Sequence, residues 1–271
     1  MDKPRILFIT PLPPPIHGSA MVSRYLQESV QLQEQYQTTF INLSTSRKMN
    51  EIGKRSIWKM IRFAGTYGKV LWQLLMHRFD LCYLAITCQG IGFLKDTPFV
   101  LLCKLFCKKV VVHQHNKGML RVVHHFPYSR LLPWVYQKVD VILLSWELYP
   151  DVMEVVPEKN VWICPNGVPE VECMKQKTQT ALPHLLFLSN LVESKGVYVL
   201  LDACKQLKEK GHRFVCHFVG GESKEINRER FQLEVLDRQL EDCIFYVGPQ
   251  YGKDKERYFQ EATIFVQPTF E

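Results

Sequence analysis

What most constrains this chain is an alternation that runs along its length. Short apolar runs of strand length recur between longer segments of helical period. Arg5–Thr10, Thr38–Asn42, Leu81–Ile86, Lys109–His113, Val139–Leu144 and Val161–Ile163 read as strands, and residues 19–35, 56–78, 92–106 and 129–138 as helices. A parallel sheet with helices on its faces is the arrangement that such alternation specifies. The predicted fold class is α/β, with doubly wound parallel sheets.

The rhythm breaks once. Pro169–Pro183 is polar, bounded by prolines and without apolar period, and reads as a linker between residues 1–170 and residues 171–271. Beyond it the alternation restarts, with strands at His184–Ser189, Phe214–Val219, Cys243–Val247 and Thr263–Gln267. Helices fall at Lys195–Glu209, at residues 224–240 and at Lys255–Gln260. Six strands precede the linker and four follow it, so the second domain is expected to be incomplete, its C-terminal part truncated.

With 271 residues, 46% of them hydrophobic, the chain can fill two cores, which excludes a disordered or fibrous protein. Its formal charge of +7 favours anionic partners. The nine cysteines are odd in number and mostly apolar in context, as reduced intracellular thiols are. Cys103 and Cys107 have helical spacing, but no second pair completes a tetrahedral set, so no metal is expected. The first residues lead directly into a strand, and no apolar run approaches the ~20 residues of a membrane span. The expected location is the cytoplasm.

In parallel α/β sheets, ligands gather beyond the carboxyl ends of the strands, and the candidate residues lie there. After the first strand, a proline-rich loop reaches Gly18, where backbone can approach a ligand, and Ser19, a candidate helix cap. The fourth strand ends in "HQHNKG", with His113 and His115 on one side of an extended chain, suited to hydrogen bonding or proton transfer near neutral pH. Pro165-Asn166-Gly167 has the composition of a turn. In "FLSNLVESKGV", Ser194 is a candidate cap for a helix whose first turn carries Lys195 and Gly196. A lysine there opposes the helix dipole, a cost that an anion bound at the same place would offset. Gly220-Gly221 follows a strand without forming a G-x-G-x-x-G fingerprint, which argues against a dinucleotide enzyme. Lys54, Arg55, Lys59, Arg62 and Lys69 accompany Trp58 and Trp72 on one helical segment. That segment is either a membrane-surface helix or a core helix with a solvated basic edge.

Taken in order, "PLPPPIHGSA", "HQHNKG", "CPNGV", "LLFLSNLVESKGVYVLLDAC", "FVGG" and "IFYVGPQYGKDKERYFQEATIFVQPTFE" resemble the retaining glycosyltransferases of family 4, the group 1 type of bacterial polysaccharide synthesis. The resemblance implies the GT-B fold, two Rossmann-like domains facing across a cleft. It also implies metal-independent hexosyl transfer from a nucleotide diphosphate-sugar, the co-substrate, to a saccharide or lipid-linked acceptor, with no further cofactor. A peripheral contact with the inner membrane face would follow for a lipid-linked acceptor, and nucleic acid is not an expected partner.

Residue by residue, Lys195 matches the lysine of the family's G-R-x-x-x-x-K-G segment, which binds the donor diphosphate together with the arginine; Gly196 follows it. Ser189 and Asn190 stand where glycine and arginine are usual, so one phosphate clamp is absent. Gly18 and Ser19 match the loop that approaches the phosphates, and Gly220 belongs to the "FVGG" match. His115, with His113 as the second assignment, matches the histidine beside the transferred sugar. Asn166 matches the asparagine of an N-G-V turn. Glu271 matches the first of a pair of donor-contacting glutamates, or the residue just before it. A nucleotide-sugar epimerase of the same fold and a non-catalytic sugar-nucleotide-binding module are the alternatives.

Overall fold

The computed structural model describes residues 3–14, 16, 18–44, 57–168 and 182–270. Glu271, Lys54, Arg55 and most of the predicted linker lie outside the described residues. The chain divides into two compact units, Met1–Pro169 and Glu170–Glu271.

The first unit is built on six parallel strands: β1 (Arg5–Thr10), β2 (Gln37–Asn42), β3 (Leu81–Ile86), β4 (Lys109–Gln114), β5 (Asp140–Leu143) and β6 (Val161–Ile163). Their order is β2-β1-β3-β4-β5-β6. Alternate residues serve opposite faces, as the pleat requires. Ile6, Phe8, Tyr83 and Val111 form the smaller core with Leu26 of α1 (Gly18–Glu28) and Leu32 of α2 (Val30–Gln35). Leu7, Ile9, Leu84, Val112 and Val141 form the larger one. It is closed by α3 (Ile57–Met76), α4 (Gly90–Phe106), α5 (Met119–Val122), α6 (Tyr128–Tyr136) and α7 (Tyr149–Val152).

Residues 19–35 are two helices, not the single one expected. Ser29 interrupts them, because its hydroxyl accepts the Leu32 amide at 3.3 Å and caps α2. α1 starts at Gly18, which puts Ser19 inside its first turn rather than at its cap.

The second unit has four parallel strands: β7 (His184–Leu188), β8 (Val215–Val219), β9 (Ile244–Gly248) and β10 (Ile264–Phe265), ordered β10-β7-β8-β9. Its helices are α8 (Val197–Glu209), α9 (Arg228–Asp237) and α10 (Gly252–Glu261). Phe218 stands at the centre of the core, with ring centroids 4.9 Å from both Phe187 and Phe231. The helix predicted over 224–240 is shorter at both ends. Asn227 caps α9 by accepting the Arg230 amide at 2.9 Å, while the Ser223 hydroxyl turns the preceding residues by accepting the amides of Glu225 and Ile226.

The cysteine reading also changes. Cys107 terminates α4 in an extended conformation and so leaves the helical face it would have shared with Cys103. It forms a disulfide with Cys82, the Cα atoms 6.4 Å apart, where the sequence suggested reduced thiols throughout. Among the described residues no helix is long and apolar enough to cross a membrane.

Candidate functional site

In the second unit the candidate residues cluster beyond β7 and β8, which are neighbours in the sheet. Glu193–Lys195 form a 3-10 turn, and Gly196 follows at φ 82° before α8 begins at Val197. Lys195 therefore precedes the helix instead of lying in its first turn, and Ser194 does not cap it. The left-handed residue between them is the reason. A Cβ on Gly196 would lie 2.2 Å from the carbonyl oxygen of Pro268, so the turn is sealed under the chain that follows β10. Phe270 N–H donates to the Ser194 carbonyl at 3.2 Å across the same contact.

Gly220 is placed as tightly. A Cβ there would stand 1.9 Å from the Ser189 carbonyl oxygen, which only glycine permits. Asn190 Oδ1 accepts the Gly221 amide at 3.0 Å, and Leu191 N–H donates to the Gly221 carbonyl at 2.8 Å. The Asn190 side-chain oxygen thus joins two loops, a structural task that its match to the clamp position did not reveal. Lys195 takes part in no ion pair among the described residues. In sequence it stands two residues before the N-terminal end of α8, the positive end of the helix dipole.

In the first unit, β4 and the residue after it carry two histidines, His113 and His115, whose rings are tilted by 33° with centroids 4.0 Å apart. His113 is 3% exposed. Its Nδ1 shares a hydrogen bond with the Tyr83 hydroxyl. Burial, reinforced by His115, pushes the His113 pKa down to about 3, so the ring is neutral near pH 7. Burial likewise raises the Tyr83 hydroxyl far above its ordinary value.

Gly18 opens α1 with open space where a Cβ would be. Behind it, Asn42 steadies the loop after β1, accepting the Leu12 amide at 3.0 Å and donating to the Leu12 carbonyl at 3.2 Å. Asn166 and Gly167 continue from β6 without the expected turn, because Cys164 N–H prolongs the pairing to Leu143 O at 2.9 Å. They line a cavity of about 540 Å³ with Tyr83, His113 and Ile142. Asn166 thus meets His113, the second assignment, at that cavity.

Asp151 is the side chain that the sequence did not flag. It is buried on α7, and its carboxylate accepts the amides of Gly118 and Met119 at 2.9 and 3.0 Å and of Leu120 at 3.2 Å. No local pattern links residues 33 positions apart.

Two all-parallel α/β units with ligand-type loops at the strand ends define a GT-B type of chain, and solved structures share that fold. Sucrose-phosphate synthase from Thermosynechococcus elongatus superposes with a TM-score of 0.68 at 14% identity, over 98% of this chain and 76% of that one. Anabaena HepE, in complex with UDP and glucose, gives 0.63 at 13% identity over 98% and 74%. The model of the glycosyl transferases group 1 family matches residues 173–271. A 116-residue stretch is 33% identical to the amylovoran biosynthesis glycosyltransferase AmsK of Erwinia amylovora, covering 42% of this chain. That stretch spans 28% of AmsK's own length.

Proposed function

We propose that this chain transfers a hexose from a nucleotide diphosphate-sugar to a saccharide or lipid-linked acceptor in cell-surface polysaccharide synthesis, with retention at the sugar and without a metal. The observation that carries the reading is the turn at Lys195, which places a lysine two residues before the first residue of a thirteen-residue helix.

In glycosyl transfer from such a donor, negative charge grows on the departing nucleoside diphosphate. Fixed donors aimed at that charge lower the barrier without reorganising during the reaction. Lys195 and the first amides of α8 would supply them, Gly196 and Gly220 let the surrounding chain pack closely about that turn, and Gly18 and Ser19 are assigned to phosphate contacts. His115 is assigned to the transferred sugar, and Asn166 and Glu271 to donor contacts. The loop role of Asn190 supports donor binding by one cation in place of two.

The acceptor belongs to the first unit in this reading. Trp58, Met60, Ile61, Trp72 and Leu75 of α3 are exposed beside Lys59, Arg62 and Lys69, and Ile57–Met76 contains no acidic residue. Such a face suits an anionic membrane surface, where a lipid-linked acceptor would be met from the cytoplasmic side.

Calorimetry with UDP and GDP tests the proposal. One of the two binds the wild-type chain, and Lys195→Ala weakens that binding by about tenfold or more, the loss of one charge-assisted contact. Failure of both nucleotides to bind, or unchanged binding by the variant, overturns it. Release of free nucleoside diphosphate in turnover separates transfer from epimerisation.

A further inference from the structure

The segment after β4 is held from three sides although it is a loop. The Asn116 carbonyl accepts from Gln114 Nε2 at 3.3 Å and from Cys88 Sγ at 3.6 Å, and the Lys117 carbonyl accepts from Gln89 Nε2 at 3.4 Å. Gly118 stands at φ 129°, with no room for a Cβ against the Gln89 amide group. The third tether is Asp151, which gathers three successive amides from 118 to 120.

This tether is more than a four-residue helix requires. α5 follows Gly118, which has no side chain to cap it. Instead a carboxylate from α7, 6% exposed, does the work from a distance. Burying a carboxylate is costly unless hydrogen bonds meet its charge, and here backbone N–H groups do. The link fixes the loop relative to α7, and His115 lies three residues before its first anchored amide.

We propose that Asp151 is a positioning residue for His115: by clamping residues 118–120 it sets where the His115 imidazole points. The role in turnover rests on the reading of His115 as the group beside the transferred sugar. The structural part does not.

A double-mutant cycle tests both parts. Asp151→Ala and Asp151→Asn are made in the full chain, alone and with His115→Ala, and UDP release from UDP-glucose is followed. Asp151→Ala is expected to lower kcat roughly a hundredfold with KM held within about twofold, the pattern of misplacement rather than lost binding. Asp151→Asn, which keeps one acceptor oxygen, falls between. In the His115→Ala background, Asp151→Ala costs no more than about twofold, since its effect runs through the histidine. An equal loss in both backgrounds overturns positioning in favour of a general structural role. NMR supplies a readout independent of turnover: the ring signals of His115 shift in Asp151→Asn, while those of His184 and His217 in the second unit stay in place. Unmoved His115 signals sink the proposal even if UDP-glucose is not a substrate, and moved signals with a fully active His115→Ala sink only the functional reading. If Asp151→Ala fails to fold, the Asn variant carries every arm.

Discussion

Gly196→Ala is a direct perturbation of the Lys195 turn. The new methyl would meet the Pro268 carbonyl oxygen at 2.2 Å, about an ångström inside van der Waals contact, so residues 267–270 must move away. Left-handed backbone at φ 82° adds about 1–2 kcal/mol for a residue with a Cβ. The retreat breaks the Phe270 to Ser194 hydrogen bond, worth about 1 kcal/mol. The expected loss is therefore about 2–3 kcal/mol, felt within the second unit. All five tryptophans, at 58, 72, 134, 146 and 162, precede the linker, so indole fluorescence reports the first unit and is blind to the second. Hydrogen exchange should resolve the effect: amides of 185–188 and 215–219 exchange roughly 30- to 150-fold faster, while the tryptophan unfolding transition does not shift. A loss below about 0.5 kcal/mol, within the ordinary range of surface substitutions, would refute the tight seating of Pro268 on the Lys195 turn.

Two further outcomes are expected. Vesicles of phosphatidylglycerol and phosphatidylcholine should bind the chain better than phosphatidylcholine alone, and replacing Lys59, Arg62 and Lys69 by alanine should cost about 1 kcal/mol per cation, roughly two orders of magnitude in all. Equal binding by that triple variant removes the membrane role of α3. His113 gives a pH signature: its native pKa is about 3, while unfolded histidine titrates near 6.5, so only the unfolded state takes up a proton between those values. Its stabilising contribution is complete above about pH 6.5 and falls by about 1.4 kcal/mol per pH unit as the solution is acidified toward 3. His113→Gln should flatten urea-derived stability between pH 6.5 and 4.5, and an unchanged slope would show that the ring is accessible to protons in the native state.

How far the sequence could be read depended on the range of the interaction. All ten strands were legible; in β1, β3 and β4 burial on both faces leaves unbroken apolar runs that composition exposes directly, and β1, β3 and β6 agree to the residue. Helix boundaries were less legible where a polar side chain competes for backbone. Ser29 splits an otherwise continuous amphipathic stretch, and Gly196 stops a helix whose pattern begins two residues too early. Within the candidate site, Lys195 stood out because a cation at a helix start is locally unfavourable. Asn190 could be matched to a position but not to a task, since its partner amide lies 31 residues away, and Asp151 left no trace for the same reason. Long-range hydrogen bonds from ordinary-looking polar residues have no periodicity to betray them.

The strand order of the second unit has a consequence for its synthesis. β10, made after β8 and β9, pairs with β7, made before them, and Pro268 covers a glycine made 72 residues earlier. At roughly 5–20 residues per second, the Lys195 turn spends several seconds outside the ribosome before the chain that closes over it exists. β7 meanwhile presents an unpaired edge, so the nascent second unit is most vulnerable to misassociation, and most dependent on chaperones, in that interval.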